Sequence, residues 1–142
     1  MNVHCDHPAG SAFPALRFAR RIDPDADVES WRLDIPAKPA CYLLADERGT
    51  PVLLATIGSL RPALVRRLGP DDADQATRKI DYRAVVREVR WREVCSQFEA
   101  EWAWLENARQ FIPDRYRPLI RRWRGHWVHV DPEAPFPRFI AT

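Results

Sequence analysis

Between Cys41 and Leu64 the chain reads CYLLADERGTPVLLATIGSLRPAL, and this stretch limits the fold more than any other. Two apolar runs, Cys41 to Leu44 and Val52 to Ala55, flank the polar turn Asp46-Glu47-Arg48-Gly49, which is the composition and spacing of a β-hairpin. Gly49 supplies the positive φ that the turn needs. Ser59 stands where it can cap a helix over Leu60 to Leu68. In that helix Leu60, Leu64 and Leu68 recur at i, i+4 and i+8 and face inward, while Arg61, Arg66 and Arg67 face out. Gly69-Pro70 ends it.

Downstream, Asp71, Asp72 and Asp74 suit the first turn of another short helix through about Ile80, because carboxylates there meet the positive end of the helix dipole. Val85 to Val94 alternates, with Val89 and Trp91 against Arg90 and Arg92, and predicts a half-buried third strand. Ser96-Gln97-Phe98-Glu99 is a capping box that opens a helix to about Phe111. Phe98, Trp102, Leu105 and Ile112 are its expected apolar stripe. After Pro113 comes a basic aromatic stretch, RYRPLIRRWRGHW, and then two short strands, Trp127 to Val130 and Phe139 to Ala141. The residues before about Asp27 mix Pro, Gly, Asp and small side chains without sustained periodicity, so a loosely structured arm is expected there.

The predicted fold is therefore α+β: a small three-stranded central sheet, antiparallel or mixed, flanked by helices, with a short C-terminal β extension. Three segments follow from the same pattern: a flexible arm over 1–30, a folded body over 31–119, and the basic aromatic segment with its strands over 120–142.

At 142 residues, with 46% hydrophobic and 30% charged side chains, the chain suits one domain with a real core. The formal net charge is +2 and the pI near 8.6. Lysine occurs only at Lys38 and Lys79, so the positive charge is nearly all arginine, which suits bidentate contacts to phosphate and also follows from a GC-rich genome. Cys5, Cys41 and Cys95 are odd in number, far apart and without a CxxC pair, which implies neither a disulfide framework nor a zinc knuckle. A cytoplasmic setting is the expectation, with no membrane partner, since no stretch approaches the roughly 20 apolar residues of a membrane span.

The order hairpin, helix, strand, capped helix carries a resemblance. The segment from Ile35 to about Arg117 resembles the GIY-YIG nuclease domain, and specifically the N-terminal domain of the C subunit of the bacterial excision nuclease. IPAKPACYLL is similar to that subunit's Leu-Pro-x-x-Pro-Gly-Val-Tyr opening. GTPVLLATIGSLRPAL aligns without a gap on the family's Gly-x-x-Ile-Tyr-Val-Gly-Lys-Ala-x-x-Leu-Arg-x-Arg run, and FEAEWAWLEN on its Glu-x-Glu-Ala-x-x-Leu-Glu helix. WVHVDPEAPFPRF is similar to the Tyr-Ile-x-Ile…Phe-Pro-Arg-Leu segment that follows the nuclease domain, so the resemblance extends over roughly Leu33 to Thr142.

The resemblance implies a site and also its erosion. Tyr42 holds the place of the first motif tyrosine, and Glu106 that of the metal-binding glutamate. Leu53 stands where the second tyrosine belongs, Ala55 replaces the second-motif glycine, Thr56 the lysine, and Ala63 the catalytic arginine. An enzyme of this kind uses tyrosine to activate water, a glutamate to hold Mg²⁺ or Mn²⁺, and arginine to neutralise charge growing on the phosphate. An arginine contact of that sort is worth about 10³ to 10⁵ in rate, and a general base about 10² to 10⁴. Arg66 and Arg67 lie three and four residues beyond Ala63, on the same helical face one turn on, and are the available substitutes.

Arg121, Arg122 and Arg124, interleaved with Trp123 and Trp127, combine cations with rings as phosphate- and base-binding surfaces do; a solvated basic turn over core tryptophans is the plainer account. With Arg61, Arg66 and Arg67 they are the expected DNA contacts. His4-Cys5-Asp6-His7 and the pair His126 and His129 are set aside as metal sites, the first as neighbours in an arm, the second as pointing to opposite faces of a strand. Two function classes follow. One is a degenerate domain that binds DNA or another excision-repair protein with little or no cleavage; the other is a working divalent-metal endonuclease using Tyr42, Glu106 and a relocated Arg66 or Arg67. A protein-binding adaptor displaying its tryptophans is the third reading.

Overall fold

The hairpin forms where its turn residues place it. In a computed structural model of the chain, which describes residues 16–69, 81–122, 128–130 and 139–141, β1 (Phe18–Arg21) precedes a hairpin of β2 (Ala40–Ala45) and β3 (Pro51–Ile57). Gly49 has φ +78°, in the left-handed region that favours glycine. The Asp46 carboxylate accepts from the backbone N–H of Arg48 at 2.9 Å and of Thr50 at 2.7 Å, an Asx-type turn that closes the loop. These bonds, Thr50 first, hold the Asp46 carboxyl below its ordinary range. A depressed folded-state value contributes stability above the unfolded value, and that contribution is lost as pH falls through the folded one. Asp46→Ala is therefore expected to lower the melting temperature near neutrality and to narrow its gap from the native chain in acid, below the ordinary aspartate value of about 3.9. A gap that stays constant down to that acid range would contradict this account of the turn.

After the hairpin come α1 (Leu60–Leu68), the short α2 (Tyr82–Val85), β4 (Glu88–Glu93), α3 (Gln97–Phe111), α4 (Pro113–Arg122), and a separate antiparallel pair, β5 (Val128–Val130) with β6 (Phe139–Ala141). The expected helix over 71–80 lies outside the described residues. The main sheet has the order β1-β4-β2-β3, antiparallel throughout. This corrects the expected three strands to four, and it draws part of the expected arm into the body. Residues of FARR lack apolar alternation and all four are exposed, so β1 gives no period-2 signal. Backbone bonds hold it instead: Arg17 N–H donates to Trp91 O at 3.0 Å, and Ile22 N–H to Arg87 O at 2.8 Å. Phe18 also stacks on Trp91, its register partner, with ring centroids 5.7 Å apart. Ile22 and Val28 are buried in the core, so the expected boundary near residue 31 falls inside packed structure.

β2 is central and all six of its residues are buried, because both faces of the sheet are covered. Tyr42 and Leu44 point to the side of α1, where they meet Leu60, Leu64, Leu68, Val89 and Trp91. Cys41 and Leu43 point to the side of α3, where they meet Leu54, Ala100, Ala103 and Ala108. Burial pushes the Cys41 thiol up to about 12, against the opposing pull of Arg92, so it stays neutral and unreactive at physiological pH. Cys95 is disulfide-bonded, which corrects the inference drawn from the odd cysteine count.

The stripe expected to face inward on α3 faces outward. Phe98 is 72% exposed, Trp102 45% and Leu105 38%, whereas Ala100, Ala103, Asn107 and Ala108 are buried. Small residues let the helix axis approach the sheet, and Trp104 at the margin donates its Nε1–H to Leu54 O at 3.1 Å. At its start Ser96 Oγ accepts from Glu99 N–H at 3.1 Å. Glu99 reaches back to Cys95 N–H at 2.8 Å and pairs with Arg92 at 3.2 Å. The capping box thus also neutralises a guanidinium that is only 2% exposed.

The basic aromatic stretch after Pro113, to which the sequence assigns no element, begins as a helix, α4, with Pro118 in its interior. Pro113 opens the helix, where a missing N–H costs nothing.

Candidate functional site

Four strands place one lateral row of side chains on the α1 face. Phe18 pairs with Trp91, Trp91 with Tyr42, and Tyr42 with Ala55. Leu53, opposite Leu44, shares that face and packs against the core. Thr56, opposite Cys41, faces the other way.

Above the row, α1 supplies Ala63, 5% exposed, and one turn later Arg67. Arg67 does not face out as its helical position led one to expect. Its guanidinium carbon sits 5.7 Å from the centre of the Tyr42 ring and 6.0 Å from that of Tyr82, within cation–π range of both. Two features draw it in: the small Ala63 leaves room on the helix face, and Tyr82 offers a second ring. Tyr82 carried no signal in the sequence, because only the chain path brings α2 against α1.

The result is a closed arrangement. Tyr42 is 0% exposed, and its hydroxyl, Arg67 Nη1 and Trp91 Nε1 are buried with no hydrogen-bond partner among the described residues. Buried polar groups are nearly always paired.

The other expected site residues divide by location. Arg61 is half-buried and donates from Nε to Ile35 O at 2.7 Å, which ties α1 to the chain before β2 and corrects its outward placement. Leu60 and Arg61 N–H groups donate to Lys38 O at 3.0 Å and Pro36 O at 3.1 Å, so the first turn of α1 is satisfied by backbone carbonyls. Ser59 occupies the N-cap position without a side-chain bond for this reason. Arg66 is exposed. Arg121 and Arg122 are in the last turn of α4, while Arg124, like His4, Cys5, Asp6, His7 and His126, lies outside the described residues.

Glu106 is half-buried on α3, whose inner side packs on the sheet face opposite Tyr42 and Arg67. Among the described residues, no group of three or more His, Cys, Asp or Glu side chains is placed to hold a metal ion. A magnesium ion keeps several waters and is often held by one or two carboxylates plus substrate phosphate. Glu106 alone fits such an ion only when a phosphate completes the shell. No described helix is long and apolar enough to cross a membrane.

Comparison with known proteins gives the arrangement a setting. No family model matches the chain. Proteins named UvrABC system protein C from two strains of Porphyromonas gingivalis are each 29% identical to it over 111 residues, covering 76% of this chain and 18% of the relative. The chain thus spans less than a fifth of the length of the curated relatives it matches. Among solved structures, it is similar to the GIY-YIG N-terminal endonuclease domain of UvrC from Thermotoga maritima, a point mutant bound to its catalytic divalent cation. That alignment has a TM-score of 0.45 and 17% identity, covering 59% of this chain and 88% of the other. In its sequence match, and in the observed order of hairpin, helix, strand and capped helix, the chain is similar to the UvrABC system protein C relatives.

Proposed function

We propose that this domain is a degenerate nuclease module that binds DNA, or a partner bound to DNA, in nucleotide excision repair and cuts little or not at all. The observation that carries the reading is the closure over Tyr42. The tyrosine that would activate water is wholly buried beneath Arg67, and a buried alanine stands where the phosphate-neutralising arginine belongs. Losing both groups removes about 10³ to 10⁵ of rate for the arginine and about 10² to 10⁴ for the base. Binding needs neither group, because it rests on neutralising phosphates with arginines spread over the surface.

Arg66, Arg121, Arg122 and Arg124 are the proposed DNA contacts; the expected Arg61 and Arg67 are turned inward, to Ile35 O and over Tyr42. The test is the salt dependence of binding to a labelled bubble duplex. Native protein is expected to bind with an affinity that falls steeply with salt. Substituting Arg121, Arg122 and Arg124 together by alanine should weaken binding and lower the log–log slope by about 3, since each phosphate left without its arginine accounts for about 0.9. Binding with an unchanged slope would remove that segment from the interface, and no binding at low salt would sink the reading.

One observation favours the second reading, an active endonuclease. Arg67 lies against Tyr42, so the chain does hold an arginine beside its motif tyrosine. In that case Arg67 replaces the cation absent at Ala63, and Glu106 holds Mg²⁺ or Mn²⁺ together with the scissile phosphate.

A further inference from the structure

The outer face of α3 bears its bulkiest apolar side chains, and its inner face bears alanines. At 3.6 residues per turn, Phe98, Glu101, Trp102, Leu105 and Arg109 fall within one arc about 100° wide. Phe98 and Trp102 pack into a ridge with ring centroids 5.9 Å apart. Leu105 continues that ridge, and Glu101 and Arg109 are exposed at either end of its centre. An apolar centre with one acid before it and one base after it is complementary to itself when reversed.

We propose that this face is the contact between two copies of the chain, with their α3 helices antiparallel across a two-fold axis that passes near Leu105. In that register Glu101 of each copy faces Arg109 of the other, so the ion pair forms twice. Leu105 meets Leu105 of the other copy at the axis, and Phe98 of each copy lies beyond Arg109 of the other. The neighbouring antiparallel register sets Glu101 against Glu106, and like charges exclude it. A closed two-fold contact of this kind uses one patch twice, as isologous dimers do. The stripe is about 17 Å long by the helical rise, less than a standard interface provides, so the dimer is a weak one that forms in the micromolar range or above.

Sedimentation equilibrium of the full chain, from low micromolar to submillimolar concentration, tests this. The native chain is expected to pass from monomer to dimer. Leu105→Glu should remain monomeric, and Arg109→Glu should raise the dissociation constant about tenfold or more. Combining Arg109→Glu with Glu101→Arg should restore it, because each copy then presents the reversed pair. All of these positions are exposed, and far-UV circular dichroism checks that the variants remain folded. A native chain that stays monomeric at submillimolar concentration overturns the proposal and leaves the stripe to a foreign partner. A dimer indifferent to Leu105→Glu, or one that the double charge reversal fails to restore, overturns it equally.

Discussion

Glu99→Ala is expected to destabilise the folded chain by about 3 to 5 kcal/mol, the range found when one member of a buried ion pair is removed. Arg92 is 2% exposed on the α3 side of β4, and the Glu99 side chain facing it is 11% exposed. Removing the carboxylate takes the counter-charge from a guanidinium set among Cys41, Leu43 and the α3 alanines. It also frees the Cys95 N–H, which Glu99 holds at 2.8 Å, and so weakens the start of α3. Arg92→Met combined with Glu99→Leu should recover most of the loss, since the pair gains little over apolar residues of similar volume. Urea denaturation of the native chain and the two variants measures both effects. A loss below about 1 kcal/mol for the single change would mean that water reaches the pair and that the account of this face is wrong.

Tyr42→Phe is expected to do the opposite and stabilise the chain, by about 1 kcal/mol or more. The Tyr42 hydroxyl is buried without a hydrogen-bond partner among the described residues, and such a group costs about 1 to 3 kcal/mol in desolvation. Phenylalanine keeps the ring that Arg67 covers and the packing against Leu44 and Trp91. In a working nuclease the same substitution would cost activity. A rise in the denaturation midpoint with DNA binding unchanged therefore marks a tyrosine retained for packing. A fall would show that the hydroxyl has a partner in solution, and the closed arrangement over Tyr42 would have to be abandoned.

What could be read from the sequence was what local chemistry decides. Gly49 and Asp46 fix the hairpin turn, the leucines of α1 sit at helical spacing, and the box at Ser96 opens α3. The strand β1 was illegible because its ladder is backbone bonding to β4 and its four residues are exposed, with no apolar alternation. On α3 the periodicity identified a stripe but could not say which side was inside. Two apolar stripes compete there, and the alanine one wins because it lets the helix lie close to the sheet. The substitutions at Leu53, Ala55, Thr56 and Ala63 are visible in the letters. The cover over Tyr42 is not, since Arg67 looks solvent-facing on a helical wheel until α2 brings Tyr82 beside it.

These differences converge on the site. The resemblance expects an arginine where Ala63 stands and offers Arg66 and Arg67 as substitutes. The structure separates them: Arg67 turns inward over the motif tyrosine, and Arg66 stays exposed. Glu106 lies on the helix that packs against the opposite sheet face.

The most direct test of a module that holds DNA without cutting it is a nicking assay with purified protein, a labelled bubble or lesion-bearing duplex, and Mg²⁺ or Mn²⁺, run beside Glu106→Ala. The expected result is salt-sensitive binding with no metal-dependent nick in either protein. Nicking by the native chain that disappears in Glu106→Ala would contradict it, restore the enzyme, and make Arg67 the next residue to replace.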